Sequence, residues 1–197
     1  MTLLSIPAEP WPRDAGWLVA GYNCTELGLR IVHRALRDVG IVEDPLGSNR
    51  RIRIDAMTRR AGLVPPQWWC AIWAGAVFAD AGAKVPAGYP LTDKWLPYIT
   101  DTPTIGAAIL YGHRRRGPVR PDMDAQHIGI VVRLEPLMLT IEGNRGFAGA
   151  TSNGVAVDIG PVVLRRILGY VHPVAAEQSR VIDRLQGCDG TMSERAA

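Results

Sequence analysis

The stretch QWWCAIWAGAVFADAG, residues 67–82, places a single cysteine, Cys70, at the start of a run that is typical of a helix. A thiol at a helix N-terminus faces unpaired N–H groups and the positive end of the helix dipole, and both favour the thiolate. A thiolate is a strong nucleophile, so this position suits attack on a carbonyl carbon. Free cysteines are also among the most buried residues, so Cys70 alone leaves a core role open.

A base for this thiol, and a group to orient the base, are predicted on two later strands. His127 opens HIGIVVRL, where its imidazole could take the thiol proton and later protonate a leaving amine. Glu142 and Asn144 end the next run, LMLTIEGN, and a carboxylate or amide there could fix the tautomer of the imidazole and stabilise its cation. A hairpin that turns at 135–136 pairs position 127 with about 143–144. The spacing therefore favours a site over the alternatives, a surface histidine and a polar turn. Three other histidines are weaker candidates: His33, His113 and His172.

The elements that must hold these residues fall into two groups. Three helices are predicted first: NCTELGLRIVHRALRDVG, with Asn23 and Glu26 as a capping box, then RIDAMTRRAG, then the run that begins at Cys70. After a loop rich in proline and glycine (83–104), five short apolar runs are typical of antiparallel strands: IGAAILYG, HIGIVVRL, LMLTIEG, GVAVDIG and VLRRILGYV. Helices followed by strands predict an α+β domain.

Length and composition indicate one globular domain. The chain has 197 residues, of which 47% are hydrophobic and 21% charged, and a single core can accommodate such a chain. We expect an irregular arm at 1–16, the domain at 17–173, and a tail at 174–197 that a short helix could occupy. The net charge of +3 is a weak basic excess that does not decide among polyanionic partners. The arginine-rich runs contain no interleaved aromatic residues, so no nucleic-acid partner is expected. The arginine-rich run GHRRRGPVRPDMD (112–124) is interpreted as a solvated loop, with contact to an anionic polymer as the alternative.

The cysteines and the apolar runs exclude further classes of protein. Cys24, Cys70 and Cys188 are odd in number and contain no CxxC pair, so neither a disulfide framework nor a structural zinc site is expected. We predict no metal and no cofactor. No stretch approaches the roughly 18 apolar residues of a membrane span. The N-terminus lacks the features of a signal peptide, so synthesis in the cytoplasm is expected.

Taken in order, these motifs resemble the CHAP family, the cysteine, histidine-dependent amidohydrolases and peptidases. The motifs are W-C before a small-residue helix, H-x-G-I-V and I-E-G-N, and the resemblance extends over residues 21–171. It implies a papain-like fold, with N-terminal helices packed on an antiparallel sheet of about five to six strands. It also implies a role for each site residue: Cys70 as nucleophile, His127 as base, Glu142 as the group that orients the histidine, and Asn144 as the residue that completes the polar group.

The resemblance further implies an activity, the cleavage of an amide bond in bacterial peptidoglycan. The enzyme would be an N-acetylmuramoyl-L-alanine amidase or a peptidoglycan endopeptidase that acts on the cell wall after release or within a phage particle, as endolysins do. Three residues are candidates for substrate binding: Gln67 as an oxyanion donor, and Trp68 and Trp69 as walls of the cleft or core residues. Two alternatives stay open, a catalytically idle structural or binding module and a hydrolase of another amide. The oligomeric state is not indicated.

Overall fold

The computed structural model describes residues 24–114, 123–146, 154–162 and 166–176. Three α-helices, a 3₁₀ helix and one five-stranded antiparallel sheet are found within these ranges, so the predicted α+β class is confirmed. The helices are α1 (Glu26–Leu36), α2 (Ile52–Arg60), α3 (Cys70–Asp80) and a 3₁₀ helix (Thr92–Tyr98), and the strands are β1 (Ala108–Arg114), β2 (Met123–Arg133), β3 (Leu139–Arg145), β4 (Ala156–Pro161) and β5 (Ile167–Val171).

The sheet places the two strands that carry the candidate base and carboxylate side by side. Its strand order is β4-β3-β2-β1-β5, so β2 is the central strand. Ile130 pairs with Ile141, and Val131 pairs with Thr140. These pairs are centred on the turn at 135–136, as the sequence predicts. The first residues of β2 therefore lie beside the last residues of β3.

Helix α1 covers the core with one apolar stripe. Ile31, Val32 and Ala35 are fully buried, which is the spacing expected of an amphipathic helix. The predicted cap at Asn23 is wrong, because the N-cap is Thr25, whose hydroxyl accepts a hydrogen bond from Gly28 N at 3.0 Å. A threonine that directly precedes the first helical residue can reach this N–H group, which otherwise has no partner in the first turn.

Helix α3 is apolar on all sides because it is buried on all sides. Every residue from Cys70 to Phe78 is buried, and the helix packs against α1, α2, β2 and β3. Small residues permit this close packing, since a Cβ atom on Gly75 would lie only 2.0 Å from the ring of Tyr89. Close-packed neighbours on every face leave a helix little room to slide or rotate. The fold therefore fixes the position of the helix N-terminus, where Cys70 lies.

The 3₁₀ helix lies in the stretch 83–104 that the sequence predicts to be a loop. A tight helix with Pro97 inside it has no 3.6-residue periodicity by which the sequence could reveal it. It anchors through Trp95, which is fully buried and meets the ring of Phe78 edge to face. Its Asp93 carboxylate accepts a hydrogen bond from Ala125 N at 3.1 Å, and its Thr92 hydroxyl donates to Ala125 O. The 3₁₀ helix therefore holds β2 just before His127.

Several predictions fall outside the described residues. They concern the arm at 1–16, the tail after 176, Cys188 and most of the arginine-rich run. Within the described ranges, every helix is too short or too polar to span a lipid bilayer.

Candidate active site

Three of the predicted site residues, Cys70, His127 and Glu142, meet at the N-terminus of α3. Cys70 is the first residue of the helix and is 8% exposed, while His127 on β2 is 1% exposed. The sulfur lies close enough to the imidazole to raise the pKa of His127. The imidazole Nε2 lies 3.0 Å from Glu142 Oε2, which leaves Nδ1 for the thiol. A continuous row of contacts thus runs from sulfur through imidazole to carboxylate.

The start of α3 presents free N–H groups beside the sulfur. Its N-cap residue, Trp69, forms no side-chain cap, and the first bond of the helix runs from Trp73 N to Trp69 O at 2.8 Å. The N–H groups before Trp73, including that of Cys70, therefore have no partner inside the helix. Together with the helix dipole they favour negative charge at the sulfur, or on an oxygen bound next to it.

Glu142 is the point at which the buried polar groups converge. One carboxylate oxygen, Oε2, faces His127, and the other, Oε1, accepts from Tyr111 Oη at 2.9 Å and from Thr140 Oγ1 at 2.6 Å. Arg145 Nη1 lies 3.6 Å from the same Oε1. Burial and the charge of Glu142 raise the pKa of Tyr111 well above its ordinary value, so its hydroxyl stays a donor. These contacts hold the carboxylate in one orientation toward the imidazole.

Sequence reasoning missed the three groups that hold Glu142. Thr140 lies two residues before Glu142 on the same strand, and alternation in a strand puts both on one face. Tyr111 lies directly opposite His127 in the β1–β2 register. The alternation of residues along β3 could therefore have revealed Thr140. Tyr111 could not have been found in this way, because no short hairpin turn in the sequence specifies how β1 pairs with β2.

The electrostatics of the site keep the histidine and the glutamate charged together. Burial lowers the pKa of His127, but hydrogen bonds and charge from Cys70 and Glu142 outweigh burial and raise the pKa to about 10. Burial likewise raises the pKa of Glu142, but the hydrogen bond and charge of His127, with help from Arg145 and Thr140, lower it to about 2. An imidazolium–carboxylate pair therefore persists across the neutral pH range.

An open cleft of about 450 Å³ reaches the thiol. Trp68 and Leu91 form part of its walls and are 76% and 61% exposed. Gln67 also lines the cleft, but its Nε2 donates to Val64 O at 2.9 Å, so its amide is turned away from an oxyanion role. The cleft is lined by the following residues: Asn49, Leu63, Pro66, Gln67, Trp68, Cys70, Ala71, Pro90, Leu91, Thr92 and Gln126.

Trp69 does not line this cleft. It is fully buried, and its indole Nε1 donates to Glu43 Oε1 at 2.8 Å. Of the two interpretations offered for Trp69, the core residue is the one the structure favours. Its role is to position the residue that follows it, Cys70.

Asn144 is buried near the triad without joining it. Its side chain forms no hydrogen bond with His127 or Glu142, and its Oδ1 has no partner among the described residues. Its backbone is left-handed, with φ of 57°, at a point where the β3–β4 register shifts between Glu142 and Arg145. Asparagine tolerates this conformation better than most residues. Asn144 is placed to shape the strand rather than to contact the imidazole.

The other cysteine and histidines that the structure describes lie away from the cleft. Cys24 precedes α1, and burial raises the pKa of its thiol. His33 is exposed on α1, and His172 contacts Thr102 O after β5. No group of three or more metal-ligating side chains occurs in the described part of the chain.

Comparisons with family models, with curated proteins and with solved structures find no match to this chain.

Tyr111→Phe tests whether the tyrosine supports the carboxylate. The change removes one donor to Glu142 and keeps the ring, and hydrogen bonds to charged groups contribute about 1.5–3 kcal/mol to stability. We expect a loss of that size in the free energy of unfolding, measured by urea denaturation. Tyr170→Phe is the matched control, since the one acceptor of its hydroxyl in the described part of the chain is Met138 Sδ, at 3.8 Å. Equal losses in the two variants would show that Tyr111 has no special role.

Proposed function

We propose that the protein is a papain-like cysteine hydrolase that cleaves an amide bond in bacterial peptidoglycan. The observation that carries this proposal is the contact between Cys70 and His127, at a helix N-terminus that opens into a cleft. A buried carboxylate, Glu142, holds the imidazole from its other side. Nucleophile, base and orienting group in this sequence of contacts are the parts that acyl transfer requires.

The chemistry follows from these contacts. The Cys70 sulfur bonds to the carbonyl carbon of the substrate amide, and the carbonyl electron pair moves onto oxygen. The C–N bond then breaks as the His127 imidazolium gives its proton to the leaving nitrogen, which yields an amine and a thioester. Water attacks the thioester while His127 takes its proton, and cleavage of the C–S bond restores the thiolate. Positioned acid–base catalysis of this kind contributes about 10²–10⁴-fold to the rate.

Two features support peptidoglycan as the substrate. The motifs around Cys70, His127 and Glu142 resemble those of enzymes that cut this polymer. The cleft is also open at its rim, with the largely exposed ring of Trp68 beside the thiol. An exposed aromatic face next to a nucleophile suits a large polymer with apolar sugar and peptide faces, because aromatic side chains supply most of the binding energy at such surfaces.

Digestion of purified sacculi tests the proposal. We expect the protein to release soluble muropeptides that carry a new amino group, and mass spectrometry of the fragments identifies which amide was cut. Fragments with new reducing sugar ends would instead indicate a glycosidase. An intact polymer in the presence of an alkylatable Cys70 would favour an idle binding module or a hydrolase of another amide.

Alkylation by iodoacetamide tests the state of the thiol. At pH 6 an ordinary thiol with a pKa of about 8.5 is less than about 1% thiolate. His127 keeps its proton at this pH because its pKa is raised to about 10, and its positive charge favours the Cys70 thiolate. We therefore expect Cys70 to be alkylated more than tenfold faster than Cys24 or Cys188, as measured by peptide mass spectrometry.

His127→Gln provides the control for this experiment. Glutamine keeps a polar side chain of similar reach but carries no charge, so the advantage of Cys70 at pH 6 should disappear. If wild type and variant react at the same rate, the imidazole does not activate the thiol.

A further inference from the structure

Asn49 is a cleft residue that the triad leaves without a role. It lies in the connection between α1 and α2 and lines the same cleft as Cys70. Its Oδ1 is buried without a hydrogen-bond partner among the described residues. The NH₂ group at the other end of this carboxamide is a hydrogen-bond donor on a residue that lines the cleft.

A second buried carboxylate fixes Asn49 relative to the nucleophile. Glu43 is 3% exposed, and its Oε2 accepts a hydrogen bond from Asn49 N at 3.0 Å. Its other oxygen accepts from the indole of Trp69, the residue directly before Cys70, at 2.8 Å. One side chain thus connects the backbone of Asn49 to the start of α3. Catalytic donors must be held in place in this manner, because stabilisation of a transition state depends on pre-set geometry.

The backbone at Asn49 is also specified locally. Its φ of 55° lies in the left-handed region, where asparagine is enriched. A backbone bond from Asp44 N to Arg50 O, at 2.8 Å, closes the turn around it. The side chain therefore projects from a rigid loop instead of a mobile one.

We propose that the Asn49 carboxamide donates a hydrogen bond to the carbonyl oxygen of the bound substrate and, with the N–H of Cys70, forms the oxyanion hole. This inference rests on the proposed cysteine hydrolase chemistry and adds a catalytic residue to it. The two donors come from different elements, the loop before α2 and the first turn of α3. Gln67, the donor that the sequence suggests, has one amide N–H engaged by Val64 O, whereas Asn49 is held relative to the start of α3 through Glu43 and Trp69.

Two reactions of the same thiol test the assignment. Iodoacetamide reacts at a saturated carbon, where the sulfur displaces iodide and no oxyanion forms. p-Nitrophenyl acetate reacts at a carbonyl: sulfur bonds to carbon, charge passes through the carbonyl oxygen, and p-nitrophenolate leaves. Loss of one oxyanion donor lowers such a rate by roughly 10²–10³-fold. Acylation, but not alkylation, should therefore depend on Asn49.

Asn49→Gly is the variant of choice, because glycine accepts the positive φ without strain. We expect it to slow acylation of Cys70 by roughly 10²–10³-fold and to leave alkylation unchanged, with the fall in kcat rather than a rise in KM. Asn49→Asp, which keeps the shape but cannot donate from a carboxylate, should behave likewise. Leu46→Ala is the control, since Leu46 is exposed in the same connection and lies outside the residues that line the cleft, and it should slow neither reaction.

Three results would overturn the assignment. They are an unchanged acylation rate in Asn49→Gly, an equal loss in both reactions, and a wild-type Cys70 that is alkylated but never acylated. Neither reagent is a wall polymer, so the test is independent of the substrate proposal. If sacculi stay intact while acylation still depends on Asn49, the peptidoglycan proposal fails and the role of Asn49 stands.

Discussion

Cys70→Ala is expected to abolish hydrolysis of sacculi while leaving the fold intact. Groups that act as a unit in covalent catalysis lose nearly all activity when any one is removed, so we expect a fall of more than roughly 10⁴-fold. The sulfur lies at the cleft, and α3 is held by its apolar contacts on every other side. Truncation by a single atom should therefore change the free energy of unfolding by less than about 1.5 kcal/mol. Release of soluble fragments measures the activity, and thermal unfolding measures the fold.

Cys24→Ala is the matched control for this variant. Cys24 is half-buried against the edge of the core, and its sulfur lies near the backbone oxygens of Thr25 and Ile105. We expect full activity from it. If folded Cys70→Ala protein digested sacculi at the wild-type rate, Cys70 could not be the nucleophile, and the proposed mechanism would be wrong.

Glu142→Gln is expected to impair both activity and stability. The neutral amide no longer stabilises the imidazolium, so the pKa of His127 falls from about 10 toward its ordinary value. Arg145 also loses its buried counter-charge, which lies 3.6 Å away in the wild type. Breaking a buried ion pair by removing one partner costs about 3–5 kcal/mol, and a misoriented base slows catalysis by about 10²–10⁴-fold. Urea unfolding and fragment release measure the two effects.

The stability difference between wild type and Glu142→Gln should depend on pH in a defined way. The pKa of Glu142 is lowered from 4.5 to about 2, so its stabilising contribution is complete above pH 4.5 and is lost as the pH falls through 2. The pKa of His127 is raised from 6.5 to about 10, so its contribution is complete below pH 6.5 and is lost as the pH rises through 10. The difference should therefore be largest between pH 4.5 and 6.5 and decrease on both sides.

Glu26→Gln is the control for this pH dependence. Glu26 forms an exposed pair with Arg30 at 2.7 Å, with the glutamate side chain 86% exposed. Exposed pairs contribute about 0–1 kcal/mol, so this variant should lose little stability at any pH. A Glu142→Gln variant that behaved like Glu26→Gln would show that the buried carboxylate neither holds His127 nor pairs with Arg145.

The elements that carry the site were predictable because each has a strong local pattern. The small-residue run that begins at Cys70 is long enough to specify a helix, and the helix begins there. The turn at 135–136 lies midway between His127 and the polar residues of β3, so hairpin symmetry alone brought His127 and Glu142 together. Both inferences required only the number of residues between positions in the sequence.

The groups that support the triad were not predictable in that way. Tyr111 reaches Glu142 because β1 pairs with β2 in one particular register. The sequence between those strands, residues 115–122, contains Gly117-Pro118 and Pro121 but is too long to fix the register as a two-residue turn does. Glu43 and Asn49 meet through a loop whose shape depends on left-handed backbone and on contact with Trp69. Asn144 is expected from its sequence position to complete the polar group, whereas its side chain forms no hydrogen bond with His127 or Glu142.

The position of His127 on the middle strand of the sheet affects which residues of this protein can be substituted without loss of reactivity. Neighbouring strands hold β2 along both edges, so the sheet fixes the backbone that carries the imidazole. Trp68 and Leu91, by contrast, belong to connections between helices at the rim of the cleft. Substitutions in those connections can retune which molecules fit without disturbing the proton-transfer machinery. The residues that select the substrate and the residue that transfers the proton therefore lie in different elements of the fold.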